Sequence, residues 1–211
     1  MKKIISLALS LAAVICIFAI ASVTASAAIK ESEGNDSYIN ADIISPGETV
    51  TGKLSATGDK DFYKVDVSEK GYLLIKFTNP FMEEHCKWRV TVFSATAPTD
   101  EISSHTISAI STNTILPKIG IDKGTYYISI TDGRYGWGYV DNVEYGFSVE
   151  FVETEYWETE SNDKYTVADK IVTDKKYGGF ILNTDDKDYY EINFEELKSQ
   201  VEYLGLGNKV Y

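Results

Sequence analysis

Short apolar runs separated by turn-forming residues make up most of the chain beyond residue 50. In residues 62–67 and 145–151, apolar and polar positions alternate, as in a strand with one buried face. The runs that predict strands are 50–54, 62–67, 72–77, 88–93, 114–121, 126–131 and 145–151. About seven or eight short strands with turns between them predict an all-β fold, an antiparallel β-sandwich.

The longest apolar run, residues 4–23, follows Lys2 and Lys3 and precedes Ala25-Ser26-Ala27. A basic start, an apolar middle and small residues at the end are typical of a secretory signal peptide, which we predict over residues 1–27. The run is also long enough for a retained membrane anchor, but the small residues favour cleavage. We therefore expect an extracellular protein with no membrane attachment after cleavage.

Two parts of the chain repeat each other at an offset of 127 residues, 158 minus 31. The offset aligns Glu31 with Glu158 and, without a gap, Tyr63 with Tyr190. Because periodic self-similarity indicates duplicated structural units, we predict a complete β-sandwich over residues 28–154. Residues 155–211 would then form a truncated second copy of the same unit.

The second copy departs from the first after Glu196. Asn193 and Glu196 form a capping-box pattern, which predicts the start of a helix. An apolar stripe with helical spacing follows and is closed by Gly205; its members are Phe194, Leu197, Val201 and Leu204. The repeat predicts a strand here and the local pattern predicts a helix, so both alternatives stay open.

Acidic residues cluster at two places in each copy, in a leading segment and at the start of a strand. Carboxylate and amide oxygens are the ligands that calcium prefers, six to eight per ion. Two carboxylates about 4 Å apart repel by roughly 4 kcal/mol at an effective dielectric near 20, and a cation would remove that repulsion. The candidate ligands from the residues themselves are Glu31, Glu33, Asn35, Asp36, Asp59 and Asp61.

The competing interpretation of this acidic stretch is a solvated linker in which Asn35 or Asp36 caps a short helix. Its repetition at the same offset favours calcium, because a linker has no reason to keep its carboxylates in register with a strand start.

The formal net charge is −12 and becomes −14 once Lys2 and Lys3 are removed, so we expect no nucleic-acid partner. Removal of the signal leaves Cys86 as the single cysteine, so no internal disulfide is expected.

Tyr135, Trp137 and Tyr139 alternate with glycines. In an extended backbone all three side chains would face one way and form a platform for sugar rings or an extended peptide. A loop folded back over the edge of the sandwich is the alternative, since most aromatic side chains serve packing. We predict these three as ligand-binding residues.

Together these motifs resemble the bacterial pre-peptidase C-terminal domain family. The resemblance rests on Glu-x-Glu-x-Asn-Asp, the Asp-x-Asp-(Phe/Tyr)-Tyr strand start and Gly-x-Tyr-Tyr at Gly124, and it covers residues 31–153 and the start of the second copy. It implies a secreted jelly-roll sandwich related to collagen-binding modules of clostridial collagenases. It also implies calcium ligands at Glu31, Glu33, Asn35, Asp36 and Asp61, and in the second copy at Glu158, Glu160, Asn162, Asp163, Asp185 and Asp188.

The chain departs from this pattern at two places. Gly58 stands where the second copy has Asp185, and Thr131 and Gly133 stand where collagen-binding members carry tyrosines, which argues against collagen binding. The sequence contains no Gly-x-Ser-x-Gly elbow, no His-Glu-x-x-His motif and no phosphate-binding loop, and nothing singles out a pair of carboxylates for glycoside cleavage. We expect a non-catalytic, calcium-stabilised module that binds an extracellular polysaccharide or protein. The alternative is an export or folding accessory of a secreted peptidase.

Overall fold

The computed structural model describes residues 27–133 and 139–193. The predicted signal peptide up to residue 26, Tyr135 and Trp137, and the segment 194–205 with its two alternatives lie outside the described residues. In the described part of the chain no helix is long and apolar enough to cross a membrane.

The regular elements of the described residues are strands, apart from two single-turn 3-10 helices at Tyr38–Asn40 and Tyr165–Val167. The strands are β1 (Ile29–Lys30), β2 (Asp42–Ile44), β3 (Thr49–Lys53), β4 (Lys60–Val67), β5 (Gly71–Thr78), β6 (Lys87–Ser94), β7 (Ala97–Ser108), β8 (Asn113–Ile115), β9 (Ile119–Ile121), β10 (Gly124–Asp132), β11 (Glu144–Glu153), β12 (Asp169–Ile171) and β13 (Tyr190–Ile192). The all-β prediction is confirmed.

Within the described ranges the strands assemble into two large sheets and one small one. The six-stranded sheet has the order β1-β3-β11-β5-β8, with β9 also pairing with β5, and the five-stranded sheet has the order β2-β4-β10-β6-β7. The longest strands pair antiparallel, as predicted, but β1 with β3, β2 with β4 and β12 with β13 are parallel. The first two exceptions arise because the chain alternates between the sheets here: β2 of the five-stranded sheet lies between β1 and β3, and β3 of the six-stranded sheet lies between β2 and β4.

The core lies between the two large sheets. Tyr63 of β4 packs edge-on against Phe147 of β11 with ring centroids 4.7 Å apart, and Phe77 of β5 packs against Trp88 of β6 at 5.8 Å. All four side chains are buried. They are supplied by alternate positions of strands in opposite sheets, which is the arrangement of a sandwich.

Two strand predictions need correction. The run 114–121 is not one strand but β8 and β9, and Pro117 lies in the gap between them. Proline lacks a backbone N–H and restricts the residue before it, so a continuous ladder cannot pass through this position. β7 was not predicted from the sequence. It is an edge strand that pairs with β6 alone, with two register shifts, and many of its residues are polar.

The pairing of β12 with β13 reproduces that of β2 with β4. Asp169 lies opposite Tyr190, as Asp42 lies opposite Tyr63, and both members of each pair differ by the sequence offset. An isolated parallel bridge joins Trp157 to Gly178, and it corresponds in the same way to the pairing of Lys30 with Thr51. The local contacts of residues 157–192 thus match those of the leading part of the sandwich.

We expect Ile128→Ala to lower the free energy of unfolding by about 2–5 kcal/mol, because it empties a position that is fully buried in the central strand β10. Ile115→Ala makes the same chemical change at a side chain that is 67% exposed. It should cost less than about 0.5 kcal/mol. Chemical denaturation measures both, and equal losses would contradict the described core.

Candidate metal centre

Glu31 is fixed where the leading segment meets the six-stranded sheet. Its Oε1 accepts the backbone N–H of Lys53 at 2.6 Å, and its Oε2 accepts the hydroxyls of Tyr63 at 3.1 Å and Tyr145 at 3.2 Å. A Cβ at Gly52 would collide with this carboxylate and with the Tyr145 hydroxyl. The glycine therefore leaves room for Glu31.

Asp61 lies beside Glu31 and is fully buried at the start of β4. Its Oδ2 accepts the Tyr145 hydroxyl at 2.5 Å, while its Oδ1 has no hydrogen-bond partner among the described residues. Burial, with a further contribution from the negative charge of Glu31, raises the pKa of Asp61 to about 8. The structure therefore brings together the two carboxylates that the sequence placed far apart in the chain.

The other candidates in the first copy differ in burial. Asn35 is buried, and its Nδ2 donates to Asp42 Oδ2 at 3.2 Å while its Oδ1 finds no partner in the described part of the chain. Asp59 accepts the backbone N–H groups of Ser55 at 2.5 Å and Lys60 at 2.8 Å. Asp36 and Glu33 are both exposed.

The same contacts recur around Glu158 in the second copy. Its Oε1 accepts the backbone N–H of Phe180, and its Oε2 accepts the Tyr190 hydroxyl at 2.8 Å. A Cβ at Gly179 would collide with the carboxylate, as at Gly52. Glu158 is only 1% exposed, so this carboxylate is almost entirely removed from water.

Glu158, Glu160 and Asp188 form an acidic triad, in which one oxygen from each residue lies within 4.8 Å of the others. Among residues 27–133 and 139–193 this is the one such group with three acidic, histidine or cysteine members. Burial raises the pKa of Glu158 to about 7, with Asp188 adding to the shift, and raises that of Glu160 to about 8, with Asp186 adding most among the neighbouring charges. A set of carboxylates this close can hold a metal ion.

Several oxygens at this site lack a hydrogen-bond donor. Four buried atoms have no partner within the described ranges: Glu160 Oε1, Asn162 Oδ1, Asp186 Oδ1 and Asp188 Oδ1. Asn162 is fully buried, and its Nδ2 donates to Asp169 Oδ2 at 3.1 Å, which fixes the orientation of the amide. Buried acceptors without donors are costly unless a cation or water satisfies them.

The predicted ligand Asp185 and its neighbour Asp186, which was not predicted as a ligand, differ in burial. Asp185 is exposed, whereas its neighbour Asp186 is half-buried with its Oδ2 bonded to the backbone N–H of Leu182. Asp186 also raises the pKa of Glu160, so it belongs with the triad. Asp163 contacts the same loop by accepting the backbone N–H of Lys187 at 3.2 Å.

Two kinds of residue at these sites were not predicted from the sequence. Tyr145 contacts both Glu31 and Asp61 and lies 84 positions after Asp61 in the sequence, so no local sequence pattern predicts its role. Asp42 and Asp169 orient the two asparagines and also accept backbone N–H groups, from Ser32 at 2.8 Å and Thr159 at 2.7 Å. Their matching positions in the repeat were a usable signal.

A groove of about 490 Å³ crosses the outward face of the five-stranded sheet, next to Asp59. Phe62 and Phe93 lie in it as a stacked pair with ring centroids 6.3 Å apart, flanked by Thr91 and Ser129. Of the predicted aromatic platform, only Tyr139 is described, and its side chain is 56% exposed. Tyr135 and Trp137 stay predictions.

No family model matches the chain, and no curated protein matches it. Among solved structures, the pre-peptidase C-terminal domain of a collagenase from Bacillus anthracis is similar over 52% of this chain and 94% of that chain, with 16% identity and a TM-score of 0.41. A solved member of the family that the motifs resemble is therefore among the structures similar to this chain.

Two longer proteins are similar over a small share of their length. A ruminal GH26 endo-β-1,4-mannanase matches 56% of this chain and 21% of its own, with 14% identity and a TM-score of 0.33. A β-glucosidase from Paenibacillus barengoltzii matches 59% of this chain and 13% of its own, with 12% identity and a TM-score of 0.34. The function proposed below depends on the geometry of the acidic sites.

We expect the melting temperature, measured in the presence of chelator, to decrease as the pH is raised from 5 to 8.5. Asp61, Glu158 and Glu160 have pKa values of about 8, 7 and 8 in the folded protein, above the ordinary value near 4 that applies when unfolded. The folded state therefore binds these protons more tightly, and their contribution to stability is lost as pH rises through the folded pKa values.

The double variant Asp61→Asn and Glu160→Gln should flatten this pH dependence, because two of the titrating carboxyls are gone. Asp185→Asn, at an exposed position, should leave it unchanged and serves as the control. Differential scanning calorimetry at a series of pH values makes the measurement. Stability that rises with pH in chelator would contradict the described burial of these carboxyls.

Proposed function

We propose that the chain is a secreted, non-catalytic module that is stabilised by calcium and binds an extracellular polysaccharide or protein. The observation that carries the proposal is the triad of buried Glu158 with half-buried Glu160 and Asp188, with unpartnered oxygens around it. The signal-like amino terminus and the sequence resemblance to the pre-peptidase C-terminal family support the secreted, accessory character of the module.

Calcium fits the triad better than other common metal ions. The donor groups are carboxylate and amide oxygens, which suit hard cations, and the set contains neither histidine nor cysteine, which zinc favours. Calcium accepts six to eight oxygens in irregular geometry, whereas magnesium requires a near-ideal octahedron. The proposed ligands are Glu158, Glu160, Asn162, Asp163, Asp186 and Asp188.

We propose a second, weaker calcium site in the first copy. Asn35 Oδ1 and Asp61 Oδ1 are buried without a partner in the described part of the chain, at the positions that correspond to Asn162 and Asp188. Two differences lower its affinity: Glu33 is exposed where Glu160 is half-buried, and the Tyr145 hydroxyl already occupies Asp61 Oδ2. Glu31, Asp36 and Asp59 complete the set.

We infer from the matching contacts that residues 28–154 and 155–211 hold two copies of one unit. The support is the recurrence of hydrogen bonds at one offset, such as Tyr63 to Glu31 and Tyr190 to Glu158. In this arrangement the second copy keeps the part of the unit that builds the acidic site. Among the described residues, no counterpart of β11, the strand that carries Tyr145, follows β13.

We expect calcium to bind the full-length mature protein and to raise its melting temperature. At a calcium concentration about 100 times the Kd, a ligand that binds only the folded state adds about 2.7 kcal/mol of stability. Asp188→Asn should weaken the tighter site at least about tenfold, because calcium affinity depends on the number of charged ligands. Isothermal titration calorimetry measures both affinities.

Asp185→Asn is the matched control, because it removes the same charge three residues away from an exposed position. An identical loss in Asp185→Asn and Asp188→Asn would show that general negative charge, and not the triad, attracts the ion. A wild-type protein with no calcium heat and no thermal shift would refute the metal site.

The groove on the five-stranded sheet supports the partner-binding part of the proposal. The stacked pair Phe62 and Phe93 offers an apolar surface, and the hydroxyl-bearing residues Thr91 and Ser129 line the groove beside it. Sugar rings present apolar faces and hydroxyl edges, so a surface of aromatic rings flanked by hydroxyls suits them. A polysaccharide is therefore the favoured ligand.

We expect Phe62→Ala to weaken retention on an insoluble polysaccharide at least about tenfold, because aromatic residues dominate the binding energy of such surfaces. Phe81→Ala is the matched control, since Phe81 is 72% exposed and does not line the groove. Pull-down assays against a panel of plant and bacterial polysaccharides make the test. Equal retention of the two variants would contradict a site in the groove.

A further inference from the structure

The second acidic site is built against the sandwich. Glu158 and Glu160 belong to a segment that runs along β9, and the Glu160 N–H donates to the Gly120 carbonyl at 3.0 Å. A Cβ on Gly120 would collide with the backbone carbonyl of Glu158. The backbone that carries two members of the triad therefore rests directly on a glycine of the six-stranded sheet.

Aromatic and charged side chains flank this backbone contact. Gly120 pairs with Tyr72 in the sheet, and the Tyr72 ring packs against Trp157 with centroids 4.7 Å apart. The Lys118 Nζ lies 4.4 Å from the Tyr72 ring centroid and 4.9 Å from that of Trp157. A cation that faces two rings at once favours their juxtaposition.

An ion pair fixes the other side of the segment. Lys70 Nζ lies 3.2 Å from Asp169 Oδ1, and the Asp169 Oδ2 holds the amide of Asn162. Asp169 thus links a lysine of the sandwich to a proposed calcium ligand. Both members of the pair are at least two-thirds removed from water, so solvent screens the attraction less than at the surface.

We propose that a divalent cation bound by Glu158, Glu160 and Asp188 clamps the segment 155–193 onto the six-stranded sheet, and that Gly120 and Lys70 are positioning residues for this metal site. The inference rests on the proposed calcium function and extends it to the docking of the second copy. The ion would hold the side chains of Glu158 and Glu160, and the sheet holds their backbone. Docking of the segment therefore lowers the entropic cost of calcium binding, and calcium binding lowers the entropic cost of docking.

Coupling between two binding events is reciprocal: if docking strengthens calcium binding by a factor, calcium strengthens docking by the same factor. The experiment therefore measures both quantities on the full-length mature protein. Calcium affinity comes from isothermal titration calorimetry. Docking comes from hydrogen exchange of a peptide covering residues 157–163, whose Glu160 amide bonds Gly120 across the contact.

In the wild type, calcium should slow exchange in residues 157–163 at least about tenfold, the size of an ordinary coupling. In residues 87–94 of β6, which β10 separates from Asp61 of β4, the slowing should be smaller, because it reports only the general gain in stability. Gly120→Ala should abolish the extra slowing in residues 157–163 and weaken calcium binding at the tighter site by a similar factor. Exchange in β6 that matches the calcium-free wild type shows that the variant has kept its sandwich.

Lys70→Gln and Lys76→Gln form a second, milder pair. Lys70 pairs with Asp169 of the segment, whereas Lys76 pairs with Glu150 at 2.5 Å inside the same sheet. Lys70→Gln should weaken calcium binding and the calcium-dependent protection together, while Lys76→Gln should change neither. Equal effects from the two lysines would overturn the clamp.

Failure of the clamp is distinguishable from failure of the metal site. If Gly120→Ala binds calcium as tightly as the wild type, or if calcium leaves exchange in residues 157–163 unchanged, the clamp is wrong and the metal site stands. If the wild type binds no calcium, the proposed metal site is wrong and the clamp falls with it.

Discussion

Repulsion between buried carboxylates is the constraint on which the functional part of this structure depends. Glu31 with Asp61, and Glu158 with Glu160 and Asp188, are withdrawn from water with negative neighbours beside them. Such a set is stable only if protons, hydrogen-bond donors or a cation compensate the charge. The first copy relies on tyrosine hydroxyls, and the second copy leaves more oxygens without donors, which is why we propose the tighter calcium site there.

The sandwich positions these carboxylates through ordinary backbone geometry. Asp61 and Asp188 come at or just before the start of a strand that pairs parallel with a short strand of the leading segment. That pairing brings Glu31 or Glu158 within reach because a glycine, Gly52 or Gly179, leaves space beneath the carboxylate. The cation would therefore join a leading segment to a strand start, where a hydrophobic core alone leaves the segment weakly held.

Much of this was predictable from sequence. Alternation located most strands of the sandwich because one face of each is buried, and the repeat identified which acidic residues act together. Tyr145 was not predictable, because it reaches the site through a sheet pairing that depends on the whole fold. The sequence also could not show that Asp186, and not Asp185, lies near the triad. Adjacent residues in a loop point in different directions, and only the backbone conformation decides which one faces the site. β7 was not predicted because an edge strand does not need to alternate apolar and polar residues.

The proposed clamp gives the second copy a physical role. Its described residues are too few to enclose a core of their own, and they contact β5 and β9 of the sandwich through Tyr72 and Gly120. An ion at the triad would then stabilise that docking as well as the local loop. Outside the cell, where calcium is abundant, the two halves would behave as one unit.

A crystal structure of the mature protein grown with terbium, which replaces calcium and scatters anomalously, tests the central claim most directly. The account predicts an anomalous peak about 2.3–2.6 Å from carboxylate oxygens of Glu158, Glu160 and Asp188. A peak only at other surface carboxylates, with the triad oxygens bonded to one another through protons or water, would contradict it.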